Sequence, residues 1–179
     1  MGRTAPGGWM IRPPPFGPAS LIGLAVALVT AGLDQASKLW LLDVFRLGER
    51  GRVEVAPVLD LQLTWNHGIS YGLLQQTGTG RWLLLAVAVA AVLLLWVWLA
   101  RAGSLLSAVA LGIIIGGAVG NAIDRFVYGA VADFVLFHVG TGASRLDWYV
   151  FNLADCAIVA GVAGLLYGAV FTGSAAKVP

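Results

Sequence analysis

Four long apolar segments constrain the fold of this 179-residue chain more than any other feature. Each is close to the length of about 20 residues that an α-helix needs to cross the hydrocarbon core of a bilayer. The chain is 59% hydrophobic and only 11% charged, which is too apolar for a soluble domain of this size. We therefore predict an all-α membrane protein with a four-transmembrane-helix bundle, whose spans cover residues 19–42, 82–100, 105–123 and 153–171.

The first apolar segment also has the features of a secretory signal peptide. It follows a leader, residues 1–18, that is rich in Gly and Pro and carries Arg3 and Arg12. The three spans further along the chain favour a first transmembrane helix instead. The leader is predicted to be disordered, residues 19–172 to form one membrane-embedded domain, and residues 173–179 to be a short tail.

Two long connections, residues 47–80 and 125–151, lie on one side of the membrane if the four spans alternate in direction. In the first connection, Leu59 to Asn66 alternates between apolar and polar residues, which is typical of a half-buried strand. Residues 52–55 alternate as well. We predict a small β-rich platform at the membrane surface between the first two helices, followed after Asn66 by a turn and a short amphipathic piece.

Charge does not decide the orientation of the bundle. Only four of the eleven Lys and Arg residues lie on the side of the termini, so the positive-inside rule argues against placing the termini inside. All nine acidic residues lie on the opposite side, but acids weigh little in this rule. Both orientations stay open at this point.

Several classes of partner are disfavoured by composition. A single cysteine, Cys156, excludes an intrachain disulfide, and neither histidine has a partner at metal-ligand spacing. We predict no cofactor and no metal. The net charge of +2 is too small and too dispersed for a nucleic-acid surface, so no nucleic acid is predicted as a partner.

Small residues recur every four positions on the third span, at Gly112, Gly116 and Gly120. This spacing leaves one helix face bare for close packing against another helix. On the first span, Asp34 and Lys38 are four residues apart, which suits an ion pair on one helix face. Alternatively, Lys38 extends to the interface and helps to hold substrate or a phospholipid-like head group.

Three of the aspartates that follow the third span are candidate site residues. Asp124 has Arg125 beside it and Asn121 one turn earlier, which favours a positioning role for an ionised carboxylate. Asp133 is surrounded by apolar residues, and burial should raise its pKa. Asn152 is predicted to cap the fourth helix, with Asp155 in its first turn, where the helix dipole favours negative charge.

Asp133 and Asp155 together suggest a shared-proton pair of the aspartic-protease kind. One ionised carboxylate would take a proton from the attacking water while its protonated partner polarises the peptide carbonyl. Two alternatives remain: a small transporter with an acidic ion path, or a non-catalytic scaffold with the acids in structural ion pairs. His67 is interpreted as a turn residue and Cys156 as a small packing residue.

Five short motifs in one order resemble those of bacterial lipoprotein signal peptidase, signal peptidase II. They are Asp34-Gln-Ala-Ser-Lys38, Asn66-x-Gly68, the run from Gly116 to Arg125, Val131-x-Asp133-Phe134, and Phe151-Asn152-x-Ala154-Asp155. The chain departs from the family at Cys156, where many members have Ser, and at Tyr149 or Val150, where they often have Pro.

The resemblance implies an aspartic endopeptidase of the bacterial inner membrane, acting as a monomer on lipid-modified prolipoproteins among the membrane lipids. It would cleave before a diacylglyceryl-modified cysteine, with both termini in the cytoplasm and the β-rich platform in the periplasm. The catalytic pair falls on Asp133 and Asp155. The family positions that support the site fall on Asp34, Lys38, Asn66, Gly68, Gly120, Asn121, Asp124, Arg125, Asn152 and Ala154.

Overall fold

The computed structural model describes residues 17–68, 80–140 and 144–172. In these ranges, helices α1 to α5 span Pro18–Leu39, Leu47–Arg50, Gly80–Ala100, Leu105–Val127 and Leu153–Tyr167. Helices α1 and α5 continue as π-helical turns over Trp40–Val44 and Gly168–Thr172. Four of the helices, all except the short α2, are long and apolar enough to cross a membrane, which confirms the predicted number of spans.

Helix α4 is the centre of the helical part. Of its most apolar stretch, 61% is buried, compared with 22% for α1, 6% for α3 and 22% for α5. It packs against all three of these helices, and its buried side chains form one core with residues of α1 and α3. The buried members of this core are Ala27, Leu99, Ala108, Leu111 and Ile115.

The predicted stripe of small residues on α4 lies against α1, and the close helix contact is confirmed. A methyl group added at Gly116 would lie 2.6 Å from the carbonyl oxygen of Ala27. At Gly112 it would overlap the carbonyl of Gly23, and at Gly120 it would overlap the carboxylate of Asp34. The absence of side chains therefore sets how closely α1 and α4 approach, and brings the polar end of α1 to the polar end of α4.

Four strands form one antiparallel sheet in the order in which they follow along the chain. They are β1 (Val53–Ala56), β2 (Leu59–Asn66), β3 (Val131–Val139) and β4 (Leu146–Phe151). The β-rich structure predicted for residues 52–55 and 59–66 is confirmed by β1 and β2, which form an antiparallel pair. The predicted platform between the first two transmembrane helices is only half of the sheet, because β3 and β4 come from the connection between α4 and α5.

Burial explains why the sequence pattern does not predict strand β3. Six of the first eight residues of β3, Asp133 and His138 among them, are buried, and the strand is covered on both faces over most of its length. A strand buried on both faces reads as a continuous apolar run and carries no alternation. Thr64 of β2 lies opposite Asp133, so the pairing places this aspartate inside the sheet.

The polar side of β2 is partly buried and is not simply a solvent-facing surface. Asp60 is fully buried there and forms ion pairs with Arg52 and Arg145, while its other oxygen lies 3.4 Å from Nε2 of His138. Arg52 also contacts both carboxylate oxygens of Asp147 on β4, which lowers the pKa of that carboxyl. These charges tie β2 to β4 across β3.

Some predicted features lie outside the described residues. They are the leader up to residue 16, the amphipathic piece within residues 69–79, and the tail from residue 173.

Packing at the glycine stripe can be tested with two matched substitutions in helices. Gly116→Ala places a methyl group against backbone of α1, and overpacking of this kind costs about 1–3 kcal/mol. Gly32→Ala in α1 has open space around its new methyl group and should be neutral or stabilising, because Ala favours a helix over Gly by about 0.5–1 kcal/mol. Thermal unfolding in detergent should show a lower Tm for Gly116→Ala only. Equal Tm values for the two variants would contradict the close packing.

Candidate active site

A buried lysine lies at the meeting point of α1 and α4. Its ammonium nitrogen is 2.8 Å from a carboxylate oxygen of Asp34 and 2.8 Å from one of Asp124. Lys38 is 2% exposed and both carboxylates are 0% exposed. The predicted ion pair of Asp34 and Lys38 is therefore confirmed. The alternative, in which Lys38 extends to the interface to hold a head group, is wrong, because both of its charge partners are in the interior.

Each carboxylate of this triad also holds a backbone N–H from another element. Asp124 accepts a hydrogen bond of 3.1 Å from the N–H of Ala132 on β3. Asp34 accepts one of 3.0 Å from the N–H of Ala154 on α5. Ala132 and Ala154 directly precede Asp133 and Asp155 in the chain. The triad thus fixes the backbone beside both candidate catalytic residues.

The neighbours predicted for Asp124 are not its partners. Arg125 points elsewhere: its guanidinium donates to the carbonyl oxygens of Asn121 and Gly68. Asp124 is instead held by Lys38, Ala132 and the side-chain amide of Gln35, at 2.9 Å. Gln35 also donates to Asp34 and to the carbonyl of Gly120, a role that sequence reasoning missed. Its one signal was its place beside Asp34 in the first motif.

Asp155 is held at the start of α5 by a reciprocal cap, and the predicted cap at Asn152 is confirmed. The side chain of Asn152 accepts from the N–H of Asp155 at 3.0 Å, and the Asp155 carboxylate accepts from the N–H of Asn152 at 3.3 Å. The other carboxylate oxygen accepts from the side chain of Asn121 at 3.0 Å. Such a capping box uses two N–H groups that the helix itself leaves unpaired.

Asp133 receives its hydrogen bonds from two side-chain amides. Asn152 donates to one carboxylate oxygen at 2.6 Å, and Asn66 donates to the other at 3.1 Å. Burial of this group, followed by the negative charge of Asp155, raises the pKa of Asp133 from an ordinary 3.8 to about 7. The predicted rise is therefore confirmed, and both of its causes are present: loss of water and a second carboxylate.

The two carboxylates line one cavity of about 210 Å³. Its wall comes from β2, β3 and three of the long helices, and its polar part consists of Asn66, Asn121, Arg125, Asp133 and Asp155. Apolar residues of α3, α4 and α5, such as Ala88, Ala118 and Ile158, form the rest. A water and a peptide group placed here would meet both carboxylates in a mostly apolar surrounding.

The supporting residues identified in the sequence all belong to this network. Asn121 accepts from Lys38 and from Asn152, both at 3.1 Å, and so joins the triad to the two candidate catalytic residues. The N–H of Gly68 donates to the side-chain oxygen of Asn66 at 3.0 Å. Gly120 leaves room for Asp34, and Ala154 contributes its N–H.

One sequence interpretation fails beside the site. Cys156 is exposed on α5, so it is not a packing residue of the core. His67 follows the end of β2 and is exposed, in keeping with a turn residue.

Comparison with known proteins gives one consistent family. The sequence model of the family described as signal peptidase (SPase) II matches residues 26–171. The lipoprotein signal peptidase of Nitrobacter hamburgensis is 56% identical over 158 residues, which is 88% of this chain and 96% of that protein. The lipoprotein signal peptidase of Methylorubrum extorquens (strain PA1) is 58% identical over 145 residues, covering 80% of this chain and 82% of that protein.

Two solved structures share the fold. Both are bacterial membrane enzymes determined by the in meso method, at 2.3 Å and 1.9 Å resolution. The first has a TM-score of 0.64 at 24% identity, over 88% of this chain and 92% of that one. The second has a TM-score of 0.69 at 22% identity, over 84% and 93%.

The buried triad predicts a large cost for removing its cation. Lys38→Met leaves the carboxylates of Asp34 and Asp124 buried without their common partner, and breaking a buried ion pair in this way costs about 3–5 kcal/mol. Arg101→Met removes the same charge from an exposed turn and serves as the control. Thermal unfolding in detergent should show a strongly lowered Tm for Lys38→Met alone. A Tm like that of the control would show that the triad does not support the fold.

Proposed function

The chain belongs to the signal peptidase II family of proteases, which remove signal peptides from prolipoproteins, and we propose that it does so as an aspartic endopeptidase with Asp133 and Asp155 as its catalytic pair. The observation that carries the proposal is the shared cavity, into which both carboxylates open. Each is held by neutral amides at hydrogen-bond distance. A pair held in this way can keep one proton between its members.

The raised pKa of Asp133 supports a division of roles. With a pKa of about 7, Asp133 carries the shared proton up to about pH 7, which leaves Asp155 ionised. The ionised carboxylate takes a proton from water as the water oxygen bonds to the scissile carbonyl carbon. Asp133 donates its hydrogen to the carbonyl oxygen, which stabilises the developing charge.

Collapse of the tetrahedral intermediate completes the reaction. The carbonyl reforms and returns its proton to Asp133, the bond between carbon and nitrogen breaks, and the proton on Asp155 passes to the leaving amine. The products are a free signal peptide and a new amino terminus. The protons balance, and the pair returns to its starting state.

Substrate and placement in the membrane form part of the same proposal. We take the substrate to be a diacylglyceryl-modified prolipoprotein, cut before the lipidated cysteine by a monomeric enzyme in the bacterial inner membrane. The triad and the pair lie together where α1, α4 and α5 meet the sheet, at one end of the apolar helices. A substrate anchored by acyl chains presents its scissile bond at this depth. In this arrangement the sheet faces the periplasm and the termini the cytoplasm.

Replacement of either aspartate tests the pair directly. Asp133→Asn and Asp155→Asn should each lower cleavage of a diacylglyceryl-modified precursor by about 10²- to 10⁴-fold or more, because one proton-transfer group is lost. Asp43→Asn, which changes an exposed aspartate at the end of α1, should leave cleavage unchanged. The purified enzymes would be compared on the modified precursor and on the same precursor without lipid. Normal cleavage by either site variant would exclude the pair, and equal cleavage of both precursors would exclude a lipid requirement.

The pH dependence follows from the direction of the shift on Asp133. A carboxyl whose pKa is raised in the folded protein keeps its proton until the pH approaches the raised value. The contribution of that proton to the free energy of unfolding is lost as the pH rises through the raised pKa. Above about pH 7 the pair loses its shared proton, so kcat/KM should fall on the basic side. A pH profile of kcat/KM for the wild-type enzyme measures this limb. Activity that stays constant from pH 6 to pH 9 (about 2 units beyond the raised pKa) would contradict the assignment.

A further inference from the structure

Tyr149 lies outside every family motif found in the sequence, yet it contacts the network around the catalytic pair. It belongs to β4, and its hydroxyl oxygen accepts a hydrogen bond of 2.8 Å from the side-chain nitrogen of Asn66. The same nitrogen donates to Asp133 at 3.1 Å. The side-chain oxygen of Asn66 accepts from the N–H of Gly68 at 3.0 Å.

The amide of Asn66 is therefore fixed at three points. Its nitrogen carries two hydrogens, which suffice for Asp133 and Tyr149, and its oxygen is taken by Gly68. An amide turned by half a rotation would aim its oxygen at the carboxylate of Asp133, where two acceptors would face each other. The contact with the N–H of Gly68 opposes that rotation, because two donors would then face each other, and the contact with Tyr149 holds the amide in place.

We propose that Tyr149 is a positioning residue of the catalytic pair: by holding the amide of Asn66, it fixes the carboxylate of Asp133 in the orientation that the reaction needs. This inference rests on the proposed function. It concerns a residue outside the family motifs, so the motifs do not assign it this role.

The charges around Asp133 determine what loss of this contact would do. Asp155 on α5 raises its pKa, whereas Lys38 on α1 and the donated hydrogen bonds of Asn66 on β2 and Asn152 lower it. Arg125 on α4 lines the same cavity, and Tyr149 is the further titratable group beside Arg125. Tyr149 accepts a hydrogen bond from one of these groups, Asn66. If Asn66 no longer donates, the charged form of Asp133 loses support and its pKa rises further.

The test uses Tyr149→Phe, which removes only the hydroxyl, beside the control Tyr128→Phe. Tyr128 is exposed, and its ring contact with Trp65 does not need the hydroxyl. We expect kcat for the modified precursor to fall by about three- to tenfold in Tyr149→Phe, the equivalent of one neutral hydrogen bond. The basic limb of its pH profile should move upward by about 0.5 to 1 unit, with KM within about twofold of wild type. The control should match the wild-type enzyme in all three quantities.

A double substitution shows whether Tyr149 acts through Asn66. In an Asn66→Ala enzyme, adding Tyr149→Phe should cause no further loss of kcat and no further shift of the limb, because the group that Tyr149 holds is already absent. Independent, additive losses would overturn the inference, as would a Tyr149→Phe enzyme with a wild-type kcat and pH limb. A lowered Tm with an unmoved limb would indicate a structural role only and also overturn it.

The same assay separates this inference from the proposed function. If Asp133→Asn or Asp155→Asn still cleaves the precursor, the catalytic pair itself is wrong. If both are inactive while the losses in the Tyr149 and Asn66 variants are additive, the pair stands and only the role of Tyr149 fails.

Discussion

The buried ammonium of Lys38 between the carboxylates of Asp34 and Asp124 is the interaction on which the rest of the site depends. Charged groups in an apolar interior are costly unless they are paired and hydrogen-bonded, and here both conditions are met. The same carboxylates accept the N–H groups of Ala132 and Ala154. The charge of one lysine is thereby used to position the chain immediately before Asp133 and before Asp155, on two elements that are far apart in sequence.

Neutral amides then separate the triad from the proposed catalytic pair, Asp133 and Asp155. Asn121 contacts Lys38 on one side and Asp155 on the other, and Asn152 contacts both Asn121 and Asp133. An amide donor stabilises a carboxylate less than a cation does, so the pair is oriented without being held fully ionised. A lysine in direct contact with Asp133 would lower its pKa and remove the proton that the proposed reaction uses. The layer of asparagines accounts for how a strong structural charge and a carboxyl with a raised pKa can be neighbours.

The sequence predicts those parts of the fold that depend on local pattern. The four spans, the glycine stripe at Gly116 and the cap at Asn152 follow from hydropathy, spacing and side-chain chemistry, and the structure confirms them. Strand β3 is missed because burial on both faces removes the alternation that identifies a strand. The partners of Asp124 are missed for a different reason: Lys38 lies 86 positions earlier in the chain, and only the packing of α1 on α4 brings it there. Adjacent Arg125 suggests a local pair that tertiary structure does not make.

The junction between β4 and α5 shows why the sheet belongs to the site itself. Strand β4 ends at Phe151 and helix α5 begins at Leu153, so Asn152 alone connects them. Its side chain caps α5 and reaches Asp133 on the neighbouring strand, and its own N–H is held by Asp155. With one residue and three hydrogen bonds at the junction, α5 cannot turn relative to β3 without breaking contacts to both carboxylates. Pairing of β3 with β4 therefore sets the position of Asp133 relative to Asp155. In a bundle of four helices without these two strands, nothing would fix the position of Asp133.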